Sequence, residues 1–273
     1  MAASPDATGG AIRELMNPLG TNPRETLPVL WRDDVLVAIH KPAGLLVHRT
    51  AIDRHERRFA VQLLRDQLGQ VVYPVHRLDK GTSGVLLFAL DPAVARRVAS
   101  AFAAGAIRKQ YLAVVRGWPD EHGSIESPLA PVDDDRAPRT STVARDACTH
   151  YVRRAMAELP HRVDRYPTSR YALLGLEPTT GRRHQLRRHL AHVSHPIIGD
   201  STYGKGAHNR LFAELFGSRR LLLASVALVL SHPLTAAEVS ITAPLAADFQ
   251  DTLRQLGWSA PLPLAASQAP SRG

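Results

Sequence analysis

The segment His76-Arg77-Leu78-Asp79-Lys80-Gly81-Thr82-Ser83-Gly84 packs several reactive side chains between two apolar runs. The cations beside Asp79 favour its charged form, and a charged, positioned carboxylate can act as a nucleophile or a base. The same residues also suit a turn in which an Asp accepts backbone donors, and the segment alone does not choose between the two. Other chemistries fail on pattern. Gly81-Thr82-Ser83-Gly84 is not the G-x-S-x-G elbow. Lys80-Gly81-Thr82 places its lysine ahead of the glycine, the reverse of a phosphate loop. An ordinary glycosidase needs two carboxyl groups across the scissile bond, and no second acid is marked out beside Asp79, although one could come from elsewhere in the fold.

A second cluster runs from Thr180-Gly181-Arg182-Arg183-His184-Gln185-Leu186-Arg187-Arg188 to His192. The spacing predicts a helix over Arg183–His192, with Arg183 and Arg187 one turn apart, His184 and Arg188 likewise, and Leu186 and Leu190 on the buried edge. Four arginines cannot all be buried. Some are expected to meet phosphates and one to pair with a carboxylate. The histidines at 184, 189, 192 and 195 are poorly spaced for one metal ion and stand among cations that repel it, so no metal site is expected.

The elements that must carry these residues follow from apolar periodicity. LPVLW, the turn Arg32-Asp33-Asp34 and VLVAI read as a hairpin leading to Lys41-Pro42-Ala43-Gly44, with a short strand at Leu45–Val47. Helical spacing over Phe59–Leu68 stops at Gly69. The strand Val85–Leu90 precedes a helix capped by Asp91 with Pro92 in its first position. Alternation from Ile107 to Val115 puts Ile107, Lys109, Tyr111, Ala113 and Val115 on one face of a strand. Residues 119–148 read as a long surface excursion. Further strands are expected at Tyr171–Leu176, Leu221–Leu230 and Val239–Thr242, with a closing helix over Leu245–Leu256. The fold class is therefore α+β, a mixed and largely antiparallel central sheet with flanking helices. Residues 27–258 form one expected domain between mobile tails, 1–26 and 259–273.

Composition narrows the partners. The 34 Lys and Arg exceed the 25 Asp and Glu, for a net charge of +9, and from His150 to Arg220 the count is 13 against five. Such concentration favours a polyanion, nucleic acid first. The single cysteine, Cys148, excludes an internal disulfide framework and suits a reducing compartment. The first residues lack a signal-peptide pattern, and the longest apolar stretch, Leu221–Leu230, is about half a membrane span. No membrane association or protein partner is expected, and the expected location is cytoplasmic.

Four segments in register resemble the RluA-type RNA pseudouridine synthases: Lys41-Pro42-Ala43-Gly44-Leu45-Leu46-Val47-His48, then His76-Arg77-Leu78-Asp79 with Thr82-Ser83-Gly84, then Lys109-Gln110-Tyr111, then Gly181-Arg182-Arg183-His184-Gln185-Leu186-Arg187. The likeness covers Leu27 to Trp258. His48-Arg49 with Ile52-Asp53-Arg54, Tyr166–Tyr171, and Arg188–His192 running into His195–Asp200 are similar to the TruC branch, which modifies tRNA. Two departures stand out. The family often has Leu-His-Ala where this chain reads Leu223-Ala224-Ser225, and no separate N-terminal RNA-binding domain is expected ahead of Leu27.

The resemblance implies breakage of the N1–C1′ bond of a uridine within RNA, rotation of the uracil and reattachment through C5, without a cofactor. It implies tRNA as substrate, with uridine 65 as the target, or ribosomal RNA as the alternative. Asp79 matches the essential aspartate of the family, Tyr111 its active-site tyrosine, and Arg187 the basic residue paired with the aspartate. RNA contacts are expected from Lys41, His76, Arg77, Lys80, Arg182, Arg183, His184, Gln185 and Arg188. A noncatalytic basic RNA-binding module, with Asp79 a mere turn residue, is the reading from another class.

Overall fold

Alternating apolar residues build ten strands into one sheet in the computed structural model, which describes residues 26–49, 56–132 and 143–258. The entry hairpin joins β1 (Val29–Arg32) to β2 (Leu36–Lys41), turned where the Asp33 carboxylate accepts the N–H groups of Val35 and Leu36. Helix α1 (Ala60–Leu68) ends at Gly69 in left-handed conformation. β3 (Tyr73–Pro74) and β4 (Ser83–Ala89) flank the Asp79 loop. α2 (Pro92–Ala103) starts where Asp91 accepts the N–H groups of Ala93 and Val94, the capping that its sequence predicts. There follow β5 (Arg108–Arg116), β6 (His122–Glu126), β7 (Cys148–Leu159), β8 (Ser169–Pro178), α3 (Gln185–His192), α4 (Gly206–Phe216), β9 (Leu223–Ser231), β10 (Glu238–Thr242) and α5 (Ala247–Gln255).

The strand order is β1-β2-β4-β9-β5-β8-β7-β6, with β10 on β9 and β3 on β4. Among the described strands every ladder is antiparallel except β4–β9, where only Ser83 with Ala224 and Gly84 with Ser225 pair. The expected mixed, largely antiparallel sheet is thus the one observed. One face is covered by α1 and α3 through Ala60, Leu64, Leu186 and Leu190, packed with Ile39, Phe88 and Val115. α2 adds Val94 and Val98 to the Leu36, Val85 and Leu87 cluster, and α4 and α5 bring Phe212, Phe249 and Leu253 onto Val114 and Leu173.

The short parallel seam joins the two halves of the sheet immediately after the Asp79 loop. Ser225 is its hinge point, paired with Gly84 on one side and Tyr111 on the other. Gly84 has φ +109°, and a Cβ there would lie 1.9 Å from the Ser225 carbonyl oxygen, so both conformation and contact require glycine. Gly84→Ala is expected to cost at least about 3 kcal/mol and to lower Tm by about 6 °C or more, measurable by thermal unfolding; an unchanged Tm would contradict the tight seam.

The structure corrects several expectations. Within 119–148, His122–Glu126 is an edge strand paired with β7 rather than plain surface loop. β7 and α4 have no counterpart in the sequence reading. The Leu45–Val47 strand reduces to one bridge, Leu46 with Phe59. The helix expected from Arg183 starts at Gln185, because His184 takes a left-handed φ of 53°. Tyr111, Ala113 and Val115 share a core, but Ile107 joins a different one, beyond a register shift in the β5–β9 ladder between Gln110 and Tyr111. Ile52-Asp53-Arg54, the acidic run at 133–135 and most of both expected tails lie outside the described residues.

Candidate active site

The loop from Val75 to Thr82 is braced from behind by Lys41. Its ammonium donates to the carbonyls of Pro42 (2.9 Å), Leu45 (2.6 Å) and Lys80 (3.1 Å), and the residue is wholly buried. Burial pushes its pKa down to about 7 against the pull of the Asp79 charge. Three acceptors match the three hydrogens of an ammonium group, so Lys41 has none left for a phosphate. The expectation of an RNA contact there is corrected: Lys41 ties the Pro42–Leu45 loop to the residue after Asp79. Gly44 reinforces the tie by donating its N–H to the same Lys80 carbonyl at 2.8 Å.

Arg187 reaches Asp79 from α3. Its Nη1 donates to Asp79 Oδ2 at 3.2 Å, while Nε and Nη2 grip Asp200 at 2.7 and 2.8 Å. Asp200 is held in turn by the N–H groups of Thr202 and Tyr203, and Asn209 of α4 clasps the Gly199–Asp200 backbone. Burial works against the guanidinium charge, but Asp200 and Asp79 outweigh it and the Arg187 pKa rises. Burial likewise opposes the Asp200 charge, yet Arg187 and the two N–H donors carry its pKa below the ordinary value. This two-pronged pair fixes the guanidinium plane, and the remaining nitrogen is left to Asp79.

His184 stands on the other side of the carboxylate, Nε2 at 3.8 Å from Asp79 Oδ1, with Nδ1 3.1 Å from the Tyr203 hydroxyl. Tyr203 also lies under the Arg187 guanidinium, 5.1 Å from its ring centroid. Burial lowers the His184 pKa, Asp79 opposes this, and Arg187 and Arg183 add to the lowering.

Two cavities meet at Asp79. The smaller, about 290 Å³, is bordered by Tyr111, Lys109, His76, Phe102, Leu223 and Asp79 together with the 180–187 segment. The larger, about 990 Å³, is bordered by Lys80, Arg219, Arg220, Ser218 and His48 among others. Among the described residues Asp79 is the only carboxylate on the wall of the small cavity. Tyr111 is held in the wall between Leu176 and Ser225, and burial, aided by the Asp79 charge, pushes its hydroxyl up to about 12.

The remaining expected RNA contacts divide. Arg77, Arg182, Arg183 and His184 border the small cavity. Arg182 and Arg188 are steadied by the carbonyls of Asp146 and Ala130, and Lys80 pairs with Glu56 at 2.7 Å. Gln185 is corrected: Oε1 accepts from Thr180 Oγ1 and the Arg182 N–H, and Nε2 donates to the Cys148 carbonyl and Thr149 Oγ1. Its amide is spent on shaping the turn. His76 borders the small cavity as well, with its Nε2 accepting from the Leu87 N–H and its ring stacked on Phe102. Burial, helped by the Lys109 charge, drives it down to about 3, so it is a neutral wall of the cavity. His189 and His195 accept or donate within the fold, to Thr149 and the Ser127 carbonyl and to the Arg116 carbonyl respectively.

Asp200, Tyr203 and Lys109 had no assigned role in the sequence reading. Asp200 closes an apolar run that ends in Gly-Asp, and Lys109 sits two residues before Tyr111, the signals that could have marked them.

The described residues thus place a carboxylate, held by a guanidinium, at the mouth of a small cavity flanked by arginines on a mixed sheet. A family model described as RNA pseudouridylate synthase matches residues 35–192, and the chain belongs to that family. It is 46% identical over 239 residues to the tRNA pseudouridine synthase C of Vibrio vulnificus (strain CMCP6), covering 86% of this chain and 98% of that protein. Its identity to the tRNA pseudouridine synthase C of Yersinia pestis is 45% over 236 residues, 85% and 92% of the two chains. Among solved structures, human RNA pseudouridylate synthase domain containing 4 superposes with a TM-score of 0.64 at 28% identity, over 86% of this chain and 94% of that one. The domain-containing-1 protein, at 22% identity and a TM-score of 0.62 over 81% and 84%, shares the fold.

Proposed function

We propose that this chain isomerises a uridine of tRNA to pseudouridine, with Asp79 as the reacting carboxylate, Arg187 as the group that orients it and Tyr111 as the ring against which the base lies. The observation that carries the reading is the meeting of these three side chains at one small cavity in which Asp79 is the sole acid among the described residues. One carboxylate fits an isomerisation, whereas hydrolysis by paired carboxyl groups asks for two. The isomerisation needs no oxidant, reductant or group donor, so no cofactor enters the scheme.

A uridine inside a stem must leave the stack to reach Asp79, at a cost of a few kcal/mol. Arg77, Arg182 and Arg183 around the small cavity and Arg219 on the larger one supply phosphate contacts that offset it. The tRNA choice rests on the likeness to proteins named tRNA pseudouridine synthase C, and uridine 65 is the target that the resemblance to the TruC branch implies; the cytoplasm, where tRNA is modified, is the matching location. Mapping pseudouridines in tRNA and ribosomal RNA from a strain deleted for this chain tests it. A missing tRNA pseudouridine at position 65 with ribosomal RNA intact is the expected result; the reverse pattern would transfer the substrate to ribosomal RNA.

A further inference from the structure

Two lysines are buried at the site and their ammonium groups differ in one respect. Lys41 spends all three hydrogens on carbonyls. Lys109, only 6% exposed, has one partner among the described residues, the Thr180 carbonyl at 3.1 Å. It borders the small cavity with Tyr111 and Asp79. Keeping a charged group there with two unmatched hydrogens costs free energy, which an anionic occupant of the cavity would offset. Phe102, Leu223 and the ring of His76 border the same cavity and lower the local dielectric beside the ammonium, where a cation acts more strongly than in water.

The proposed reaction produces such an anion. The N1–C1′ bond breaks with its electron pair left on the uracil, the ring turns, and C5 bonds to C1′. The proton that leaves C5 is balanced by one gained at N1, so nothing is oxidised, reduced or consumed. While detached, the ring holds negative charge spread over its nitrogens and carbonyl oxygens. We propose that Lys109 is the cation that stabilises the detached uracil anion, its two unmatched N–H groups directed to the ring's carbonyl oxygens. The proposal rests on the reading of Asp79 and its cavity given above. The arginines that border the same cavity have other tasks: Arg187 is held on Asp79 and Asp200, and Arg77, Arg182 and Arg183 are assigned to the phosphates.

Lys109→Gln keeps a donor for Thr180 without the charge, and Lys109→Met removes both. Each is expected to lower kcat for C5-tritium release from tRNA by about 100-fold, the scale for loss of one anion-stabilising donor, with KM within about threefold. Lys109→Arg is expected to keep at least about a tenth of kcat. The decisive comparison uses tRNA carrying 5-fluorouridine at the target, whose ring bears negative charge more readily and depends less on the lysine. Single-turnover loss of the N1-linked nucleoside, read by chromatography after nuclease digestion, should then show a deficit below about tenfold for Lys109→Gln. Equal deficits on both substrates, a wild-type rate for Lys109→Gln, or a raised KM with kcat intact would overturn the proposal. Asp79→Asn run alongside separates the two claims: if it stays active the site reading fails, whereas an inactive Asp79→Asn beside a fully active Lys109→Gln overturns only the role of Lys109.

Discussion

Asp79→Asn is expected to lower tritium release from C5-labelled uridine in tRNA by roughly 10⁴-fold or more while leaving RNA affinity within a few-fold. The substitution is nearly isosteric, and the neighbours hold without it. Arg187 remains fixed by two bonds to Asp200, and the loop remains tied by Lys41 and by the Thr82 N–H on the Asp79 carbonyl. What disappears is the anionic oxygen, and an amide serves neither as nucleophile nor as base. Release and filter binding measured on the same preparation give the answer. Unchanged release would take Asp79 out of the chemistry, and lost binding together with lost release would make it a structural turn residue.

Arg187→Met is expected to damage both stability and rate. Asp200, its side chain 1% exposed, would be left as a buried charge without its cation, a change that costs about 3–5 kcal/mol and should lower Tm by about 6–20 °C. Activity should fall by roughly 10²–10³-fold as Asp79 loses its orienting donor. The double variant Arg187→Met, Asp200→Asn separates the two effects. An Asn at 200 still accepts the N–H groups of Thr202 and Tyr203, so most of the Tm should return, while the rate should not. Recovery of rate along with Tm would mean that Arg187 serves only the fold.

The sequence made the motif-bearing side chains legible because their types are rare and their order is distinctive. Asp79, Tyr111 and Arg187 are far apart in the chain and meet in space, and the α+β sheet follows from apolar alternation and from the Asp91 cap. Burial was much harder to read. Lys41 and Gln185 are polar residues in basic, phosphate-like surroundings, and nothing in their spacing says that every hydrogen they own is spent on backbone and side-chain partners. β7 was hidden because its alternation is carried by Thr149, Tyr151 and Ala155 amid arginines on a half-exposed strand, and α4 because no capping side chain marks its start at Gly206. The left-handed turn at His184, which takes two residues off the front of α3, goes with a hydrogen bond to Tyr203 that no local propensity encodes.

The account's central claim is that a lone carboxylate, steadied by one guanidinium, moves a uracil from nitrogen to carbon linkage within an intact RNA chain. The most direct test incubates the purified protein with a tRNA transcript tritiated at C5 of uridine, with chelator present and no additions, and follows released tritium, strand length and the mapped nucleoside together. One tritium released per tRNA, an unbroken strand of unchanged length and a single pseudouridine are the predicted result. Free uracil, a cleaved strand, or stable binding with no tritium released would contradict it.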